Sequence, residues 1–209
     1  MILWTIQPEI IYRAIMDTGV YHCDFSKSFL SDWKRQYDWM VRQMIKRLGP
    51  PPEGVTYPVW AWHTWEGARK KPDLREQRWA TGWKGDRFAC MEIDVSDENV
   101  LLSDFDLWSL ILLDGLLCET EEENTKLEAL YETLDPKEQR KMQDKNWEGA
   151  FDLIPLDNGW IIRGDSIQAT FWELKREYIR SVRFFTSAVP KPDYLDEEGN
   201  IIPGMIPGV

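Results

Sequence analysis

Tyr57-Pro58-Val59-Trp60-Ala61-Trp62-His63 is the stretch whose reading decides the fold class. Bulky and small residues alternate in it with the period of two that a β-strand imposes. Trp60 and Trp62 therefore share one face, and Val59, Ala61 and His63 the other. Ile167 to Leu174 reads the same way, with Gln168, Thr170 and Trp172 on one face and Ala169, Phe171 and Glu173 on the other. Leu3 to Ile6 reads as a short opening strand. In Phe88 to Val95, Met91, Ile93 and Val95 point inward and Glu92 and Asp94 outward. Val100 to Leu102, Gly159 to Arg163 and Val182 to Phe185 are shorter candidates, and a Gly-Asp turn (Gly164, Asp165) joins the strand at 159–163 to that at 167–174.

Helical patterns lie between these strands. Pro8 stands at a first helical position and Gly19 just past a last one, with Ile11, Ala14 and Ile15 forming an apolar face. Ser28 or Ser31 caps a second helix, whose stripe runs Leu30, Trp33, Tyr37, Met40, Val41, Met44, Ile45, Leu48. Gly49 and three prolines end it. Ser103-Asp104 opens a buried helix carrying Leu107, Trp108, Leu110, Ile111, Leu113 and Leu117. Residues 119–134 form a solvated acidic helix. Asp135-Pro136-x-Glu138 is a cap, an N1 proline and a capping-box Glu for a helix reaching about Asn146, after which Trp147, Phe151 and Ile154 pack. Strands, long helical inserts and then strands again define an α+β domain over 1–190, with a split, twisted antiparallel or mixed small sheet. Residues 191–209, rich in Pro, Gly and acid, read as a tail outside the core.

The 209 residues hold 12 Trp, more than Phe or Tyr, so large rings build either the core or a cleft. Net charge is −11 and unevenly spread: residues 1–90 hold 14 Lys and Arg against 10 Asp and Glu, whereas the remainder is strongly acidic. That field opposes general nucleic-acid or anionic-membrane binding and leaves room for a local basic pocket. No apolar run approaches the ~18 residues of a span, and no leader is visible, so no membrane association is expected. Three scattered Cys fit reduced thiols in a cytoplasm. Two His and three Cys offer no metal-ligand spacing, and there is no phosphate-binding Gly-rich loop and no nucleophile elbow. Neither His22 nor His63 has local support for a Ser–His–Asp system.

Three places can carry chemistry. The segment Trp60, Trp62, His63, Trp65, Glu66, Arg69, Lys70, Lys71, Arg75, Arg78, Trp79 interleaves rings that stack on bases with cations that neutralise phosphates. The bland alternative is a solvated basic loop beside a Trp-rich core. Ser103-Asp104-Phe105-Asp106 offers two acids, or simply a cap. Glu173, set among Phe and Ala, has a pKa that burial would raise, unless it has already emerged into water.

The stretches Leu3 to Gln7, Tyr37 to Met40, Gly49 to Trp62, Val100 to Trp108 and Gln168 to Leu174 resemble an uncharacterised bacterial family of unknown function. At the level of fold the order of elements is similar to the ADP-ribosyltransferase-like proteins. That similarity implies NAD held between two small sheets, with Thr5 or Gln7 as the first-strand polar group. It further implies Trp60, Trp62 or Trp65 as the stacking ring, Arg69 or Arg75 as the pyrophosphate clamp, and Glu173 or Gln168 as the late catalytic residue. The first strand lacks the His many relatives carry, and Gln168 bears no charge to stabilise a cation. The resulting expectation is a Trp-lined cleft for a nucleotide-like small molecule, NAD in particular, used for ADP-ribosyl transfer. The alternatives are a non-catalytic module recognising a nucleotide or protein partner, and a scaffold whose acidic helices bind a basic protein. The functional expectation needs the 60–79 rings and cations to converge beside the 167–174 strand.

Overall fold

The structure, a computed structural model, describes residues 1–24, 33–75 and 84–190. In chain order the elements are β1 (Ile2–Pro8), α1 (Glu9–Thr18), β2 (Val20–Tyr21), α2 (Lys34–Leu48), β3 (Val59–Thr64), β4 (Arg87–Asp94), β5 (Leu101–Asp104), α3 (Phe105–Leu112), α4 (Glu121–Thr133), α5 (Pro136–Asn146), β6 (Leu156–Asp157), β7 (Ile162–Arg163), β8 (Ile167–Phe171), β9 (Leu174–Lys175) and β10 (Ile179–Thr186). The α+β class holds. Six strands form one sheet in the order β10-β4-β1-β3-β8-β5, every pairing antiparallel, with two small ribbons, β2-β9 and β6-β7.

The six strands form two three-stranded ladders. β10-β4-β1 and β3-β8-β5 each pair along their length, but β1 and β3 meet in register at one pair, Trp4↔Trp62. Thr5 braces this seam by donating its hydroxyl to the Trp60 carbonyl at 2.8 Å. The expected split is thus a narrow waist in an otherwise continuous sheet.

The register sorts side chains to two faces. Leu3, Thr5, Ala61, Met91, Ile93, Ala169 and Phe171 lie on the face that α1 covers with Ile15, the first core. Trp4, Trp60, Trp62, Cys90, Glu92, Gln168, Ser103 and Arg183 lie on the other. There α2 and α3 pack over Leu101 with Trp39, Met40, Met44, Trp108 and Trp147, the second core. Burying one such side chain contributes about 2 kcal/mol. Trp39 and Trp147 are wholly buried, and each indole N–H is satisfied, by the Asp144 carbonyl at 3.0 Å and the Gly115 carbonyl at 2.8 Å.

Local chemistry explains the boundaries. Asp135 caps α5 by accepting from the N–H groups of Lys137 and Glu138, and Gly19 ends α1 in the left-handed region at φ 87°. Pro8 precedes the first turn of α1 instead of opening it, because β1 runs through it. In α2 the core-facing set is Gln36, Trp39, Met40, Gln43 and Met44, and Ile45 is exposed. Leu110 lies on α3 away from the buried face of Leu107, Trp108 and Ile111, Leu113 is exposed where α3 stops after Leu112, and Ile154 is exposed. The strand at 159–163 shortens to β7, which pairs with β6 rather than β8. The 167–174 strand ends at Phe171, so strand parity does not reach Glu173. Ser28, Ser31, Leu30, Arg78, Trp79 and the 191–209 tail lie outside the described residues, and Trp33 precedes the first turn of α2.

Candidate functional site

The register makes one sheet face a graded strip. One row across it reads Glu92, Trp4, Trp62, Gln168, Ser103. The next holds Arg183, Cys90 and Ile6 at one end and Trp60, Thr170 and Leu101 at the other. The strip passes from a cation through aromatic rings to an amide and hydroxyls.

At its cationic end lies a cleft of about 490 Å³, lined by Trp65, Lys70, Lys71, Arg75 and Arg183 among others. Lys70 pairs with Glu66 at 3.1 Å, and Arg75 pairs with Asp73. Lys71 and Arg183 have no counter-ion among the described residues. Both charges reach Cys90: burial pushes its thiol up to about 11, and Lys71 and Arg183 act against that rise. The cleft wall is aromatic. Trp65 is 2 % exposed and meets Trp62 edge-on at 5.0 Å, while Trp62 meets Phe105 at 5.0 Å. Trp62 and Trp65 are buried against Trp4, Phe105 and Ile6, and Trp60 packs into the second core with Leu101, Leu107 and Ile111.

The expected site residues separate accordingly. Trp60, Trp62, Trp65 and Gln168 lie on the strip face. Thr5 lies on the α1 face with Leu3, and Gln7, two residues on, donates to the Thr5 hydroxyl at 3.0 Å. His63 sits at a register shift in β3, hydrogen-bonded to the Thr64 hydroxyl at 2.8 Å. Burial and then the nearby Arg69 push its pKa down to about 4. Arg69 is a seam brace: it donates to the main-chain carbonyls of Ile2 (2.6 Å) and His63 and lies over the Trp4 ring. A pyrophosphate clamp by Arg69 would have to break those bonds. The cleft runs from Arg183 on β10 to Trp65 and Glu66 after β3, and the Glu66 N–H donates to the hydroxyl of Ser166, next to the start of β8, at 3.3 Å.

Glu173 belongs to a different place. It follows β8 and accepts from His22 Nε2 at 2.8 Å, with Lys175 Nζ at 3.3 Å from its other oxygen. Burial pushes its carboxyl upward, but the His22 and Lys175 bonds outweigh that and hold it below the usual carboxylate range. The expected rise is therefore corrected to a fall. Glu173 lines a cavity of about 100 Å³ with Asn99, Lys175 and Tyr178. His22, which has no local support in sequence, finds its partner through the β2-β9 pairing. Asp104 is a cap, not half of an acid pair: its carboxylate accepts from Leu107 N–H at 2.9 Å and Gly164 N–H at 2.6 Å. Sequence reasoning missed Arg183. Its signal was the alternation in the last strand, which sets Arg183 two residues from Ser181 on one face.

Fold and site together define an α+β domain whose antiparallel sheet presents a cation-to-amide strip on one face. Residues 2–180 match the model of a family described as a domain of unknown function, DUF3841, and the chain belongs to it. No curated protein and no solved structure matches the chain. No group of His, Cys, Asp and Glu suited to a metal ion occurs among the described residues, nor does a helix long and apolar enough to cross a membrane.

Proposed function

We propose that this domain binds a phosphate-bearing ligand of the nucleotide class, NAD among them, with its phosphates in the Lys71–Arg183 cleft. The observation that carries this is that Lys71 and Arg183 share a cleft of about 490 Å³ against Trp65 and form no ion pair among the described residues, in a chain of net charge −11. Cations without counter-ions in an acidic protein repel each other unless an anion joins them, and phosphate oxygens accept well from both. Trp65 lines the same cleft and gives it one aromatic wall beside the cations.

The reading is one of binding. ADP-ribosyl transfer requires a carboxylate free to face the ribose, and Glu173 is held by His22 and Lys175 while Gln168 is neutral. The test is calorimetric titration of the full chain with pyrophosphate and with NAD at low salt, repeated for the Lys71→Glu, Arg183→Glu double variant. Both side chains are exposed, so the variant keeps its fold. Wild type binds both probes with salt-sensitive affinity, and the variant loses at least about tenfold. Absence of binding in wild type, or equal binding in the variant, refutes the proposal.

A further inference from the structure

The six-stranded sheet has two edges, and they are built differently. β5 at one edge is four residues long, three of them buried. β10 at the other is eight residues long, and none of them is buried. From Ser181 to Thr186 it keeps an unbroken register with β4, without the proline, lysine or bulge that commonly blunts an edge against a further strand. Bonding parity identifies the open groups. The Ser187 N–H donates to the Asp86 carbonyl at 2.9 Å, and the register runs on from that pair. Opposed residues in an antiparallel ladder alternate between bonded and non-bonded pairs. Phe185 and Arg183 therefore bond to β4, and Val182 and Phe184 turn their N–H and C=O groups outward, where no described residue bonds to them.

We infer that β10 receives an extended segment of a partner protein as a seventh, antiparallel strand, and that this segment alternates acidic with apolar side chains. The side chains of β10 set that pattern. On the strip face Arg183 is exposed and forms no ion pair among the described residues, and Lys71 shares its cleft. An acidic side chain on the added strand lies beside that charge. On the α1 face Val182 is half-buried and Phe184 is 42 % exposed, its ring edge-on to Tyr12 at 5.2 Å. Apolar side chains directly opposite these two extend the first core. Main-chain bonds to the outward groups give such a strand its affinity, and the alternating side chains give it specificity. A second copy of this chain fits less well: two-fold pairing about the middle of β10 brings the two Arg183 side chains together, and like charges on neighbouring strands repel. The inference does not rest on the nucleotide reading, because the bonds it uses are made by the main chain.

The experiment titrates the full wild-type chain with a capped peptide of alternating valine and glutamate, and with its valine–lysine counterpart. Two further versions of the valine–glutamate peptide carry N-methyl groups on the valines or on the glutamates. Valines opposite Val182 and Phe184 point their N–H groups at β10, whereas the glutamate N–H groups point away. The valine–glutamate peptide binds, and the lysine peptide binds at least about tenfold more weakly. Methylating the valines lowers affinity by at least about tenfold, and methylating the glutamates changes it by less than about threefold. In amide hydrogen exchange, the Val182 and Phe184 N–H groups exchange readily in the free chain and slow when the peptide is bound. No binding, equal binding of the glutamate and lysine peptides, or equal effects of the two methylation patterns overturns the inference. Slow exchange of these amides in the dilute free chain also overturns it, because the edge is then covered by 191–209, and slowing with protein concentration alone overturns it in favour of a second copy. Pyrophosphate binding is measured separately, so the phosphate cleft stands or falls on its own titration.

Discussion

Replacing Asp104 by alanine removes two hydrogen bonds with one side chain. Its Oδ1 accepts from the Leu107 N–H at 2.9 Å, capping α3, and its Oδ2 from the Gly164 N–H at 2.6 Å, tying the turn after β7 to the end of β5. The residue is fully buried. Loss of the cap costs about 1 kcal/mol. The stranded Gly164 N–H adds about 1–3 kcal/mol. Burial works the other way: it pushes the carboxyl above its ordinary range, and the main-chain donors offset only part of that rise. Deleting the charge thus recovers some desolvation, and the expected net loss for Asp104→Ala is about 2 kcal/mol. Asp104→Asn keeps one acceptor and carries no charge, so about 1 kcal/mol is expected. The folded-state pKa lies above the unfolded one, so between the two the native state binds more protons. Wild-type stability therefore falls as pH rises through that window, which opens near ~3.9, and the Asn variant lacks this fall. Urea unfolding followed by tryptophan fluorescence, at pH 7 and across the acid range, measures all three quantities. An alanine variant within ~0.5 kcal/mol of wild type, or an asparagine variant that keeps the fall, would refute the reasoning.

Two further outcomes follow from groups near the site. His63, its pKa pushed down to about 4, is neutral when folded and charges more readily when unfolded. Stability is lost as pH falls from ~6.5 toward that value, by less than about 3 kcal/mol because the ring is only half-buried, and His63→Gln flattens the loss in urea midpoints at pH 7 and 5. Gly164 sits at φ +83°, and a Cβ there would stand 2.8 Å from the Pro155 Cα. Gly164→Ala accordingly costs about 2–4 kcal/mol by thermal or urea unfolding, and a neutral result would mean that the 153–155 backbone yields freely.

What the sequence made legible is what short-range chemistry dictates. Asp135-Pro136-x-Glu138 predicts the start of α5 because the cap, the proline and the Glu act within one turn. The alternation of Trp60, Ala61 and Trp62 predicts β3 and both of its faces, because side-chain direction depends on the strand alone. The site was half legible for the same reason: the rings and cations of 60–75 were visible, but their meeting place was not. Arg183 arrives in the cleft through the β10-β4 register, and His22 reaches Glu173 across 151 residues through a two-residue ribbon. Pairings of that kind depend on which edges remain open after the rest of the sheet has formed. The sequence pattern overextends the 167–174 strand because Trp172 and Leu174 continue its spacing of two after the ladder ends at Phe171.

The distribution of satisfied and unsatisfied groups separates the work of holding the fold from the work left over. Seam and caps are closed systems: Thr5 to the Trp60 carbonyl, Arg69 to Ile2 and His63, Asp104 to Leu107 and Gly164. Glu173 is likewise closed by His22 and Lys175. Along the strip the reverse holds. Lys71 and Arg183 form no ion pair among the described residues, and the buried side-chain atoms without a hydrogen-bond partner there include Gln36 and Gln43 on α2 as well as Ser103 and Gln168 on the strip. The two positive charges repel each other across the cleft and destabilise the chain on their own. An anion that joins the two cations would offset that repulsion, which makes binding, rather than packing, the account we propose for Lys71 and Arg183 sharing one cleft.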